Sequence, residues 1–509
     1  MIFLRESRVM LTRRNSLVSA LTYIVNTVLQ FVIRTVVIRS IGIDYLGTGN
    51  VFSNLFAILS LLDFGLGTVL LNFLYKPVAE NKQAEIAYTL KVFRRLLRYI
   101  ICGLFAVGLL FIPVLPKMIS ESSLSISQLR LFFFLVLINH LSAYVCLEKV
   151  SLLKAQQKVY IIKLITTITN LFFNVVQLLI LFLWQNYYLC LIAQALTTLL
   201  TNLMIGCYTA RHNNYLSIKQ PGKLTSDLRQ KIVKYVKASF IYKLGSVVLN
   251  STDSIIITSM FGTAVTGYFS NYVTLYTLIN NMVLLFIEAT LSSIANYLNT
   301  KTAEASYRFY RLLMLIMFSS AAFICACYLS GLDHFITLWI GGEYLLDKPF
   351  AAAVALNQFV FTIVHPIWIV RECTGEYVNT KWIVIAASIC NIVFSLLLGK
   401  VMGVSGVVFA TAVSYLLSIF WFETKYYLHH VFHTTVKNYL LYLLRLLAAC
   451  IVPILTGFAL SALYGSFFIL TVKFLICMIV TVCSFYLFMH NCQEWHDTIN
   501  YIGKLIKGK

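Results

Sequence analysis

The sequence predicts an all-α, polytopic membrane protein of about fourteen transmembrane helices, with two parallel six-helix bundles and two extra C-terminal helices. Three observations carry this. Of the 509 residues, 60% are hydrophobic and 12% charged, outside the balance of soluble globular chains. Apolar residues gather in runs of about 20, the length that crosses a hydrocarbon core as a helix. Basic residues sit between those runs on alternate sides, as the positive-inside rule requires.

The runs predict helices over 15–38, 48–75, 99–118, 129–152, 159–184, 187–208 and 237–259. Seven more are expected over 266–298, 312–331, 351–370, 381–400, 404–422, 440–463 and 466–489. With the N-terminus inside, 33 of the 40 lysines and arginines fall on the cytoplasmic side. Five fall outside, namely Arg39, Lys117, Arg130, Lys348 and Lys400, while Arg34 and Lys473 remain within spans. Both termini are therefore expected in the cytoplasm. The longest outer loop, about 332–350, has some 19 residues. The net charge of +21 is spread over short loops, which argues against a nucleic-acid partner. The first apolar run is too long for a signal peptide and should remain as a helix. The 12 cysteines lie mostly in spans and lack the spacing of a zinc site or disulfide framework.

The longest inner segment divides the chain after the sixth helix, and the two sides resemble each other. Gly42 and Gly47 match Gly262 and Gly267 at a constant offset of 220, and Gln30 falls on Asn250 at the same offset. Both halves enter from the same side, so the repeat is parallel. The expected organisation is a first bundle over 1–210, a cytoplasmic linker over 211–236 and a second bundle over 237–422. Residues 423–509 hold helices 13 and 14 and a cytoplasmic tail.

Thr22, Asn26, Gln30 and Arg34 recur every fourth position on the first helix and so share one face. An arginine within a span costs at least ~2.5–3.5 kcal/mol unless it faces water or a partner. The stripe therefore reads as the wall of a polar cavity, and it points to a transporter. The competing reading pairs Arg34 with a carboxylate such as Asp63. Helix 5 carries Thr166, Asn170, Asn174 and Gln177, a stripe suited either to sugar hydroxyls or to bonding between helices. Helix 7 carries Lys243, Ser246, Asn250 and Asp253 on one face. Lys243 lies near the inner mouth, where snorkelling to lipid phosphates is its alternative. Cavity candidates are thus Arg34, Gln30, Asn26, Lys243, Asn250, Asn170 and Asn174. Asp63, Asp253 and Glu288 are buried acids and candidates for ion coupling, against plain helix–helix hydrogen bonding. Lys473 is expected to snorkel outward. His429, His430 and His433 lack a completing ligand, so no metal or other cofactor is expected, and no nucleotide-binding or nucleophile motif is present.

Two windows, YLGTGNVFSNLFAILSLLDFGLGTVLLNFLYKPVAENK and KLGSVVLNSTDSIIITSMFGTAVTGYFSNY, resemble the Wzx-type polysaccharide repeat-unit flippases of bacteria. That family is similar in fold to multidrug-and-toxin extrusion transporters and to the lipid II flippase. The resemblance implies a non-enzymatic transporter of the inner membrane that turns undecaprenyl-pyrophosphate-linked oligosaccharides between leaflets for O-antigen, capsule or exopolysaccharide synthesis. It implies rocking of helices 1–6 against 7–12, with membrane lipids, a polysaccharide polymerase and a chain-length regulator as partners. The alternatives are a cation-coupled multidrug exporter and, from a different class, a membrane polymerase or ligase. The last needs a sizeable outer loop bearing catalytic residues, which a 19-residue loop does not supply.

Overall fold

The computed structural model describes residues 8–118, 124–217, 226–374 and 376–497, and among them the chain is helical with no strand. It divides into two compact units, Met1–Gly267 and Tyr268–Lys509. The first begins with α1 (Arg8–Ser40) and α2 (Ile43–Leu59), followed by a 3-10 turn at Ser60–Asp63 and α3 (Leu66–Ala79). Then come α4 (Gln83–Phe111), α5 (Leu115–Met118), α6 (Ile126–Ser142), α7 (Leu147–Ala155), α8 (Val159–Trp184) and α9 (Tyr187–His212). The long α10 (Ser226–Thr300) is broken at Gly262, where φ is 85° and ψ 174°. Residues 226–267, which the repeat argument assigns to the linker and second bundle, cluster here with the first unit.

The second unit continues α10 and holds α11 (Ala303–Trp339), α12 (Phe350–Thr374) and α13 (Tyr377–Tyr415). A π-helical stretch, Leu416–Glu423, leads into α14 (Thr424–His430), and α15 (Val436–Leu460) and α16 (Phe467–Met489) follow. Among the described residues nine helices are long and apolar enough to cross a membrane. The α6–α7 pair, bent by 42°, makes a tenth. One of the nine, Asn379–His430, is 52 residues long, about 78 Å at the rise of an α-helix and far beyond one crossing. Gly403, with φ 65°, breaks it in two. The fourteen expected runs fall mostly on helical segments, with turns at 64–65, 112–114 and 143–146 inside three of them. The fold is that of a multi-pass membrane protein.

The glycine repeat has a backbone meaning. Gly42 (φ 112°) and Gly262 (φ 85°) both occupy conformations that L side chains rarely adopt. Gly47 and Gly267 act by close approach instead. A Cβ on Gly47 would lie 2.0 Å from the Thr263 carbonyl oxygen, and one on Gly267 would lie 2.7 Å from that of Ile43. The two turns therefore pack backbone to backbone within the first unit.

Three expectations change. The outer loop expected over 332–350 is shorter, because α11 runs on to Trp339. Asp333 and His334 interrupt the apolar run, yet both are satisfied within the unit. Tyr272 donates to Asp333 Oδ1 at 3.0 Å, and His334 Nε2 lies 2.8 Å from the Gly465 carbonyl oxygen. Lys473 does not snorkel outward. It is 1% exposed, donates to the Ser330 carbonyl at 2.7 Å and lies 3.3 Å from His334 Nδ1. The span expected over 48–75 is interrupted, since Phe64 (φ 53°) and Gly65 (φ 68°) turn left-handed between α2 and α3.

Candidate functional site

A cavity of about 410 Å³ opens among α1, α8 and α9. From α1 it takes Asn26, Gln30 and Arg34, and from α8 Asn170, Asn174 and Gln177. These are members of the two stripes, brought together by the packing of α1 along α8. Thr22 is not among the lining residues; its hydroxyl turns back to the Val18 carbonyl at 2.8 Å. Asn26 Nδ2 donates to Thr167 Oγ1 at 3.1 Å, and Asn170 Nδ2 donates to Asn26 Oδ1 at 3.2 Å. The amides thus hold one another in place. Arg34 is the single charged side chain among the lining residues.

The third wall, from α9, was missed in the sequence. It supplies Tyr187, Gln194, Thr197 and Thr198. Thr198 donates to Asn139 Oδ1 at 2.7 Å, which ties this wall to α6. The signal was present as the i, i+3, i+4 spacing of Gln194, Thr197 and Thr198, which carries no charge to set it apart. Between apolar patches such as Ile33, Leu46 and Leu181, a cavity so lined can donate to and accept from hydroxyls, and Arg34 brings a guanidinium to it.

A second constellation stands at the break between α2 and α3. Lys243 Nζ donates to Asp63 Oδ1 and to the Ser60 carbonyl, both at 2.6 Å. Tyr144 donates to Asp63 Oδ2 at 2.7 Å, and the Gly65 amide donates to Oδ1 at 2.7 Å. Asp63 therefore pairs with Lys243 rather than with Arg34. Lys243 in turn caps a carbonyl left open where the helix breaks. Further along α10, Ser254 donates to Asn50 Oδ1 at 3.2 Å, and Asp253 is partly buried. The side chains of Asn250, Ser246 and Glu288 lie outside the described residues. In the second unit Arg371 and Glu423, 3% and 0% exposed, form an ion pair at 2.9 Å.

The family model for polysaccharide biosynthesis proteins matches residues 12–292, more than half of the chain and all of the cavity. The chain belongs to the polysaccharide biosynthesis protein family. No curated protein sequence matches it. Among solved structures, the lipid II flippase MurJ in an inward closed conformation superposes with a TM-score of 0.68 at 16% identity. That match covers 94% of this chain and 99% of MurJ. An inward-facing multidrug resistance transporter of the MATE family gives 0.59 at 13% identity, over 78% and 94% of the two chains. A Vibrio cholerae MATE transporter gives 0.54 at 12%, over 83% and 99%. At such identities the likeness is one of fold.

Proposed function

We propose that this family member is a flippase for undecaprenyl-pyrophosphate-linked oligosaccharide repeat units in the bacterial inner membrane. It works by alternating access, performs no covalent chemistry and keeps both termini in the cytoplasm. The observation that carries the reading is the Arg34 cavity: helices surround a space whose polar lining is amides, hydroxyls and one guanidinium. Sugars present hydroxyls and acetamido groups that such a lining bonds without strong preference. A carboxylated sugar or a phosphate presents the oxyanion that Arg34 would hold. Membership of a polysaccharide biosynthesis family supports the same substrate class, and MurJ, with its lipid-linked substrate, has the same fold. Asp63, Asp253 and Glu288 are the groups on which an ion gradient would act.

A multidrug exporter of cations fits the cavity less well, because no carboxylate is among its lining residues. A polymerase or ligase is disfavoured by the short connection after α11. The test is complementation of a strain lacking the flippase of a surface-polysaccharide locus. Arg34→Ala should insert normally yet abolish or severely reduce surface polysaccharide. Arg34→Lys should retain part of it, since a point charge attracts an oxyanion but lacks the planar fork. Full export by Arg34→Ala would remove the cavity from transport.

A further inference from the structure

Within the first unit, a file of aromatic rings runs from the Arg34 cavity to the Asp63–Lys243 pair. It starts at Tyr187, which lines the cavity with Arg34. The Tyr187 ring lies 5.4 Å from Phe132, and Phe132 lies 5.4 Å from Phe52. Phe52 meets Phe133 at 5.3 Å, and Phe133 stacks on Phe56 at 4.9 Å. Phe56 stacks on His140 at 5.3 Å, and His140 meets Tyr144 at 5.8 Å. Tyr144 then hydrogen-bonds Asp63. Phe52, Phe56, Phe132 and Phe133 are each 1% exposed or less.

Rings so packed cannot move singly, because an interior at native density has no space to absorb the shift of one member. His140 Nε2 is buried without a hydrogen-bond partner among the described residues, so no bond at that atom pins the ring. The far end of the file meets the break between α2 and α3. The break at Phe64 and Gly65 is left-handed at both residues, and a bulky L residue keeps that conformation only where its surroundings impose it. Here those surroundings are the bonds from Gly65 and Tyr144 to Asp63 and from Lys243 to Ser60.

We propose that the charge state of the Arg34 cavity and the closure of the Lys243–Asp63 latch are coupled through this ring file. An anion seated on Arg34 changes the field at the neighbouring Tyr187 phenol. The resulting shift passes through the rings to Tyr144, which loosens its hold on Asp63 and lets the helix break relax. The proposal rests on reading the cavity as the place for the substrate's anionic part. It assigns a transmission role to Tyr187, Phe133 and Tyr144 that packing alone would not give them. Spatial continuity is only its geometric condition; energetic coupling is the claim to be measured.

The measurement is hydrogen exchange by mass spectrometry on the peptide spanning 58–67, in purified full-length protein in nanodiscs. Arg34→Gln stands in for a neutralised cavity, so no substrate is needed. It should change exchange at the break by about fivefold or more, the lower end of ordinary allosteric coupling. Tyr144→Phe keeps the ring and removes only the hydroxyl, and Phe133→Leu interrupts the file midway. In either background the effect of Arg34→Gln should fall below about twofold. A response to Arg34→Gln under twofold in the otherwise native chain overturns the proposal, as does one that persists undiminished in both interrupted backgrounds. Because the readout does not involve export, its failure leaves the flippase reading to the complementation test.

Discussion

Asn170 donates a 3.2 Å hydrogen bond to Asn26 across 144 positions of sequence. That bond turns two separate polar stripes into two walls of one space. It also explains why each stripe is amide-rich. In a membrane interior an amide must find partners, and amides on facing helices satisfy one another while leaving atoms for a ligand.

The cavity's exposure to water follows from that arrangement. With the lining thiol Cys190 replaced by alanine and other reactive cysteines removed, a cysteine at Gln30 or Asn174 should react with a membrane-impermeant thiol reagent. A cysteine at Val32 should stay inert, because Val32 is 43% exposed yet absent from the cavity wall, on the helix face left to lipid. Equal labelling at all three positions would mean that α1 is rotated from the orientation described.

How much of this was legible in the sequence depended on what each residue does. Helices lying in lipid announce themselves by composition, and the stripes of α1 and α8 by a period of four. The glycine offset of 220 was readable because both turns need the same backbone geometry. The reach of α11 was hidden because Asp333 and His334 look like loop residues until Tyr272 and Gly465 are beside them. The partner of Asp63 was hidden for a like reason: the choice between Arg34 and Lys243 depends on which helices touch. Lys473 was misjudged because an isolated lysine near a span end ordinarily reaches for water.

The glycine turns separate two physical effects. Gly47→Ala should cost about 2–3 kcal/mol, because its Cβ would meet the rigid Thr263 carbonyl at 2.0 Å. Gly42→Ala should cost about 1–2 kcal/mol from backbone strain alone, since nothing lies within 4 Å of its Cβ. Thermal unfolding of the purified variants should rank them in that order. A reversed order would deny the backbone contact.

The Asp63–Lys243 pair should respond asymmetrically. Asp63→Ala deprives three donors, Lys243, Tyr144 and Gly65, whereas Lys243→Gln leaves Asp63 with two of them. The side chains are 14% and 26% exposed, so water softens both losses. We expect about 2 kcal/mol for Asp63→Ala and about half of that for Lys243→Gln. The double variant should lose less than the sum of the two. Strict additivity in thermal unfolding would show that the pair contributes no mutual energy.

Lys473 offers a prediction of opposite sign. Its ammonium is buried, and no carboxylate lies within ion-pair distance of it among the described residues. Its contacts are the Ser330 carbonyl, His334 Nδ1 and the Tyr464 ring at 5.6 Å. Replacing an incompletely compensated buried charge with an apolar side chain of similar volume is often stabilising. Lys473→Met should therefore raise the unfolding temperature, by a net gain of about 1–2 kcal/mol once the lost hydrogen bonds are counted. A lower unfolding temperature would mean that the ammonium is an integral part of the seam between α11 and α16.

The energy source for transport follows from what the chain carries. We expect translocation to run downhill or to draw on an ion gradient, and a gradient acts only on groups whose occupancy differs between conformations. Asp63 is held by three donors, Lys243, Tyr144 and the Gly65 amide. Asp253, partly buried on the same helix as Lys243, is a second candidate for ion exchange. In purified proteoliposomes, flipping of a lipid-linked oligosaccharide should proceed without ATP, and an imposed proton or sodium gradient should change its rate. Asp253→Asn should flatten that response, while Ser217→Ala, in the turn after α9, should leave it intact. An absolute ATP requirement would reject the secondary-transport mechanism. A response unaltered by Asp253→Asn would move the coupling function to Asp63 or Glu288.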